Sequence, residues 1–223
     1  MSFSQTGTLS AAWLPVPRRS TSGGATGEHA RPNLLVGHFP LEGRGAGDFC
    51  VIYGNVFQDN PTGEALLQGV GNAALYNNLF LNPGGDAVRI QPHNRLRRAV
   101  AIFLETVIAG GVGIALAKGE PGYARYIGRN AIFAAEPLRA EQAAENFLAS
   151  LDQARRELVA PVVDPAKRDF APRPGALASG AALPDDVRRR PDAGLDFQGL
   201  RRLGATVGAC QPPAGQALRR PCR

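Results

Sequence analysis

The chain has 223 residues, 44% of them hydrophobic, with a formal charge of +6. No apolar run approaches the roughly 18–20 residues a membrane-spanning helix needs, so no such span is expected. Glycine (27) and proline (18) are both plentiful, which favours many short strands joined by turns over long helices.

Lysine occurs only at positions 118 and 167, and arginine supplies the remaining cations. Much of the excess sits in short clusters near the C-terminus: Arg188 to Arg190, Arg201 with Arg202, and Arg219 with Arg220. No aromatic side chains for base stacking are interleaved there, so these clusters read as solvated surface and no nucleic-acid partner is expected.

In chain order, residues 1–31 read as a flexible segment. The stretch from Arg18 to His29 is rich in Ser, Thr and Gly, and the first residues lack the basic start and continuous apolar run of a signal peptide. Residues 32–150 carry an internal repeat. VIYGNVFQ from Val51, ALYNNLFL from Ala74, IFLETVIA from Ile102 and YIGRNAIF from Tyr126 align on the polar residues Asn55, Asn78, Thr106 and Asn130. Three residues earlier stand Ile52, Leu75, Phe103 and Ile127; two residues later stand Phe57, Phe80, Ile108 and Ile132. A second register aligns GEALLQ from Gly63, GDAVRI from Gly85 and GVGIAL from Gly111, and places Leu66, Val88 and Ile114 in phase.

Two strand-like motifs kept in phase over a long period predict a solenoid. Each repeat is one coil, its apolar residues two apart face inward, and successive coils stack about 4.8 Å apart. Asparagine at the same turn in successive coils can form a side-chain hydrogen-bond ladder and tolerates a left-handed backbone. A leucine-rich repeat would need an LxxLxL frame, which is absent, and a β-sandwich would lack the long fixed period. The predicted fold is therefore all-β: a parallel β-helix of about four to five coils. LDQARRELV, from Leu151 to Val159, has Leu151, Ala154 and Leu158 at helical spacing and predicts a short helix over the open end of the solenoid. Residues 151–210 are read as this capping helix with closing strands, and 211–223 as a disordered tail.

The coil segments, with GGDAVRIQPHN from Gly84 and GRNAIF from Gly128, resemble right-handed parallel β-helix proteins of the pectate-lyase-like kind, including chondroitinase-B-like and alginate-lyase-like enzymes. DFAPRPGALASGAALPDD from Asp169 and LDFQGLRRLGATVGAC from Leu195 are similar to the closing segments of exported β-helix proteins. Thr206 and Cys210 depart from that pattern, which usually has an acidic residue and an aromatic one there. The resemblance implies the C-terminal portion of a longer, secreted or periplasmic protein that binds an acidic polysaccharide or cleaves it by β-elimination. The alternative is a non-catalytic structural or interaction module, since fold does not fix function. The N-terminal side offers no amphipathic cap, so self-association through an uncapped first coil is expected.

Candidate site residues concentrate on one coil. Glu64 and Asp86 each follow the glycine that opens the second register, and stacked carboxylates there suit Ca²⁺ or an acid–nucleophile pair. Arg89 faces outward if Val88 and Ile90 face the core, and His93, Arg95, Arg97 and Arg98 follow it. The resemblance casts Arg89, with His93, in proton abstraction beside a uronate carboxylate, and Asp86, Arg95 and Lys118 in substrate binding. Lys118 stands near Glu120, and His38 lies in a glycine-rich loop with Glu42 and Arg44. For each of these the plainer reading is solvated or packed surface. Three scattered cysteines, Cys50, Cys210 and Cys222, form no zinc motif; Cys50 reads as a small core residue, and pairing of Cys210 with Cys222 would need an oxidising compartment.

Overall fold

A computed structural model describes residues 31–36, 49–60, 63–92, 98–141, 145–177, 182–199, 207–211 and 221–223. It is an all-β parallel solenoid, with two short helices among the described residues. The first face stacks β2 (Cys50–Tyr53), β5 (Ala73–Tyr76), β8 (Val100–Phe103) and β10 (Arg125–Gly128) in parallel register. The second stacks β3 (Val56–Gln58), β6 (Leu79–Asn82), the first half of β9 (Thr106–Leu116), the first half of β11 (Ala131–Arg139) and β12 (Phe147–Ala149). The third stacks β1 (Leu34–Val36), β4 (Leu67–Gly69), β7 (Val88–Ile90) and the second halves of β9 and β11. Four strands on the first face enclose about three turns of chain, slightly fewer than the four to five expected. The difference arises because β1 and β12 each add a single strand and not a full coil.

The interior consists of vertical rows. Ile52, Leu75, Ile102 and Ile127 stack on the first face, Phe57, Phe80, Val107 and Ile132 on the second, and Leu67, Val88 and Ile114 on the third. The expected rows are therefore corrected at the third coil. Phe103 aligns with Tyr76 and faces outward, and Ile108 aligns with outward Leu81. The ladder residue of that coil is Glu105, not Thr106, since Asn78 N and Nδ2 donate to its carboxyl oxygens at 2.7 and 2.9 Å. Leu67, not Leu66, aligns with Val88, because the corner after Gly63 holds one more residue than the corner after Gly85.

The ladder runs Asn55, Asn78, Glu105, Asn130 and Asn146, each backbone N–H donating to the side-chain oxygen of the next member. The residue before each of the first four has positive φ: Gly54 (68°), Asn77 (54°), Leu104 (55°) and Arg129 (59°). That left-handed residue turns the chain sharply and aims the next side chain along the stack.

The C-terminal part covers two of the three outer faces. On the first, Tyr53, Tyr76 and Phe103 form a stack with ring centroids 5.0 and 4.7 Å apart. Val187 of α2 (Asp185–Arg188) and Ala193 pack on the same face, and Tyr76 Oη donates to Pro191 O at 2.6 Å. On the second, Leu79, Leu81, Ile108 and Phe133 meet Ala154 of α1 (Leu151–Glu157), Leu158 of β13 (Leu158–Ala160) and Phe170 of β14 (Asp169–Pro172). The helix thus lies on the outside of a sheet, touching β9 and β11, and not across the solenoid end. It starts where Ser150 N donates to Gln153 Oε1 at 3.0 Å, and it stops at Glu157 because Leu158 is drawn into antiparallel pairing with β14. Cys210 and Cys222 are disulfide-bonded, with Cα atoms 6.3 Å apart, and both join this outer layer. Cys50 begins β2 and packs half-buried against the core.

Candidate functional site

The third face differs from the other two. Its outward row reads Leu35, Gln68, Arg89, Ala115 and Arg139 from coil to coil. Among the described residues, no part of the closing segments joins this face. Strand alternation places Arg89 outward, because Val88 and Ile90 on either side are buried in the core.

Arg89 and Arg139 stand two rungs apart, about 10 Å along the stack, with the small Ala115 between them. The gap is a depression of about 280 Å³ lined by Asp86, Arg89, Gln91, Ala115, Ala117 and Arg139, among others. Arg89 Nη1 lies 3.1 Å from Glu64 Oε2, and Nη2 lies 2.7 Å from Asp86 Oδ2. These contacts use two of the five guanidinium N–H groups and leave the others for a ligand. Arg139 is held by Glu136, its Nε donating to Oε1 at 2.8 Å.

Asp86 is fixed from both sides. Its Oδ1 accepts from Val112 N of the next coil at 2.8 Å, and its backbone oxygen accepts from Asn82 Nδ2 at 2.8 Å. Burial works against its ionised form, but the hydrogen bonds from Arg89 and Val112, with the charges of Arg89 and Arg139, outweigh it. The net effect holds the Asp86 carboxyl below its usual value.

Of the residues singled out in the sequence, Glu64, Asp86 and Arg89 therefore meet in one cluster. Lys118 is exposed and follows Ala117 in the chain but does not line the depression, while Glu120 pairs with Arg98 at 3.5 Å. His93, Arg95, Arg97, His38, Glu42, Arg44 and Thr206 lie outside the described residues. Arg139 and Glu136 were missed. Their signal was the apolar Leu138 that continues the Val88 and Ile114 row, but Ala135 stands where Gly85 and Gly111 lead the earlier coils.

Arg89 sits between two carboxylates, an arrangement suited to charge pairing. A guanidinium offers N–H donors and no acceptor. Glu64 and Asp86 both face Arg89, and no group of three or more His, Cys, Asp or Glu side chains stands together among the described residues.

No protein-family model, curated protein or solved structure matches this chain.

Proposed function

We propose that the third face of this solenoid binds an acidic polysaccharide without cleaving it, in a protein of the pectate-lyase-like β-helix kind. The observation that carries this reading is the pair of guanidiniums flanking Ala115 over an open depression, on the one face that the described closing segments leave bare. Glu136 holds Arg139 through Nε and Nη2, and Glu64 and Asp86 each hold one Nη of Arg89, so a uronate carboxylate would accept from the N–H groups that remain on each guanidinium. Sugar rings would lie along the stack, over Ala115 between the two guanidiniums. The Cys210–Cys222 bond supports a secreted or periplasmic location, where disulfides persist.

The test is equilibrium binding of polygalacturonate, alginate and a neutral glucan to the wild type and to Arg139→Ala. The expected outcome is salt-sensitive binding of a uronate polymer, weakened about tenfold or more by the substitution, which corresponds to roughly 1.4 kcal/mol. Equal binding by the variant, or preference for the neutral glucan, would overturn the assignment. Ultraviolet absorbance of an unsaturated product would replace binding with cleavage.

A further inference from the structure

Glu105 occupies the rung where every other member of the ladder is asparagine. At the other rungs the side-chain amide is a donor: Asn78 Nδ2 donates to Ile52 O at 3.0 Å, Asn130 Nδ2 to Ile102 O at 3.0 Å and Asn146 Nδ2 to Ile127 O at 3.3 Å. By the same register, the carbonyl that corresponds for Glu105 is that of Leu75. A carboxylate has no hydrogen to give, whereas a carboxylic acid has one.

The surroundings also oppose charge. Glu105 is wholly buried, and both its oxygens already accept from Asn78. Its own strand begins with Thr106, and the coils on either side present Asn78 and Asn130. The closing segment brings Gly208 and Ala209, the latter donating from N to Thr106 Oγ1 at 2.9 Å. Arg129 and Glu145, at the next turn, act on each other and on Tyr126. Burial outweighs the hydrogen bonds from Asn78 and pushes the Glu105 carboxyl well above the ordinary carboxylate range.

We propose that Glu105 is a proton-held rung: the carboxylic acid closes the ladder at the third coil, and base opens the solenoid there. The closing segment is docked one residue away, so its release at Ala209 accompanies the opening. The sign follows from linkage. The folded state holds the proton more tightly than the unfolded chain, so stability is greatest below the ordinary carboxyl range. It falls as pH rises toward the folded value and is flat beyond it.

The experiment follows the unfolding equilibrium against pH for the wild type and Glu105→Gln, with infrared spectra of both. For the wild type, the unfolding constant should rise about tenfold per pH unit across that window, as one extra bound proton requires. Glu105→Gln, which keeps an acceptor and supplies a permanent donor, should lack that slope. The wild type at neutral pH should show a carboxylic-acid C=O band that the variant lacks. If the variant does not fold, the wild type alone decides: the band and the amide protection of Ala209 should disappear together as pH rises. Parallel pH profiles, no acid band at neutral pH, or protection of Ala209 that ignores loss of the band would each overturn the proposal.

Discussion

Asp86 and Arg89 are three residues apart on one coil, and their side chains meet with Arg89 Nη2 2.7 Å from Asp86 Oδ2. The other Asp86 oxygen reaches the Val112 amide, so one carboxylate ties its own coil to the next. Because these contacts hold its carboxyl below the usual value, Asp86 stabilises the fold above the ordinary carboxyl range. That contribution is lost as pH falls through the depressed folded value. Asp86→Asn should cost about 1–2 kcal/mol at neutral pH, after allowance for solvent screening, and should flatten the acid side of the stability curve. Urea unfolding at several pH values checks both.

Gly110 and Gly111 carry β9 around the corner between the second and third faces. A Cβ at Gly110 would collide with Pro83 O, and one at Gly111 with Asp86 Oδ1. Gly110→Ala should therefore destabilise by about 1–3 kcal/mol, as overpacking a closely fitted site does. Gly84→Ala, with open space at its Cβ position, should change the thermal midpoint far less.

The period of the solenoid, its strand pairing and the cluster of Glu64, Asp86 and Arg89 were legible in the sequence. The third-coil register was not, for a physical reason. Strand alternation fixes register only where one face is apolar and the other polar. Here both faces of β5 and β8 are apolar, because the outer side of Tyr76 and Phe103 is itself covered by the C-terminal segment. Thr106 then imitates a ladder asparagine as well as Glu105 does, and a one-residue slip turns Phe103 inward. Arg139 escaped notice because β11 runs through the corner with Ala135 in the place that Gly63, Gly85 and Gly111 mark in the earlier coils.

Val187 and Ala193 hold the 182–199 segment against the aromatic stack of the first face. Val187→Asp would bury an unpaired charge there, which costs several kcal/mol, so the segment should detach before the solenoid melts. Trypsin provides the measurement, since Arg188 and Arg189 are exposed beside the contact. Cleavage there should quicken in the variant while the fragment from the coils stays intact.

The bond between Cys210 and Cys222 closes a short loop and anchors Cys222, whose N–H donates to Asp169 Oδ1 at 3.0 Å. Cys222→Ser should lower stability by about 2–4 kcal/mol. Thermal scans of the wild type with a strong thiol reductant should fall to the level of the variant, and the variant itself should not respond to reductant.

The most direct measurement is hydrogen exchange of the wild type with and without a uronate oligosaccharide at saturating concentration. Binding along the third face predicts added protection confined to β7, the second half of β9 and the second half of β11, absent in the Arg89→Ala, Arg139→Ala double variant. Protection that falls instead on the first or second face, or binding that the double variant retains in full, would contradict the assignment of that face.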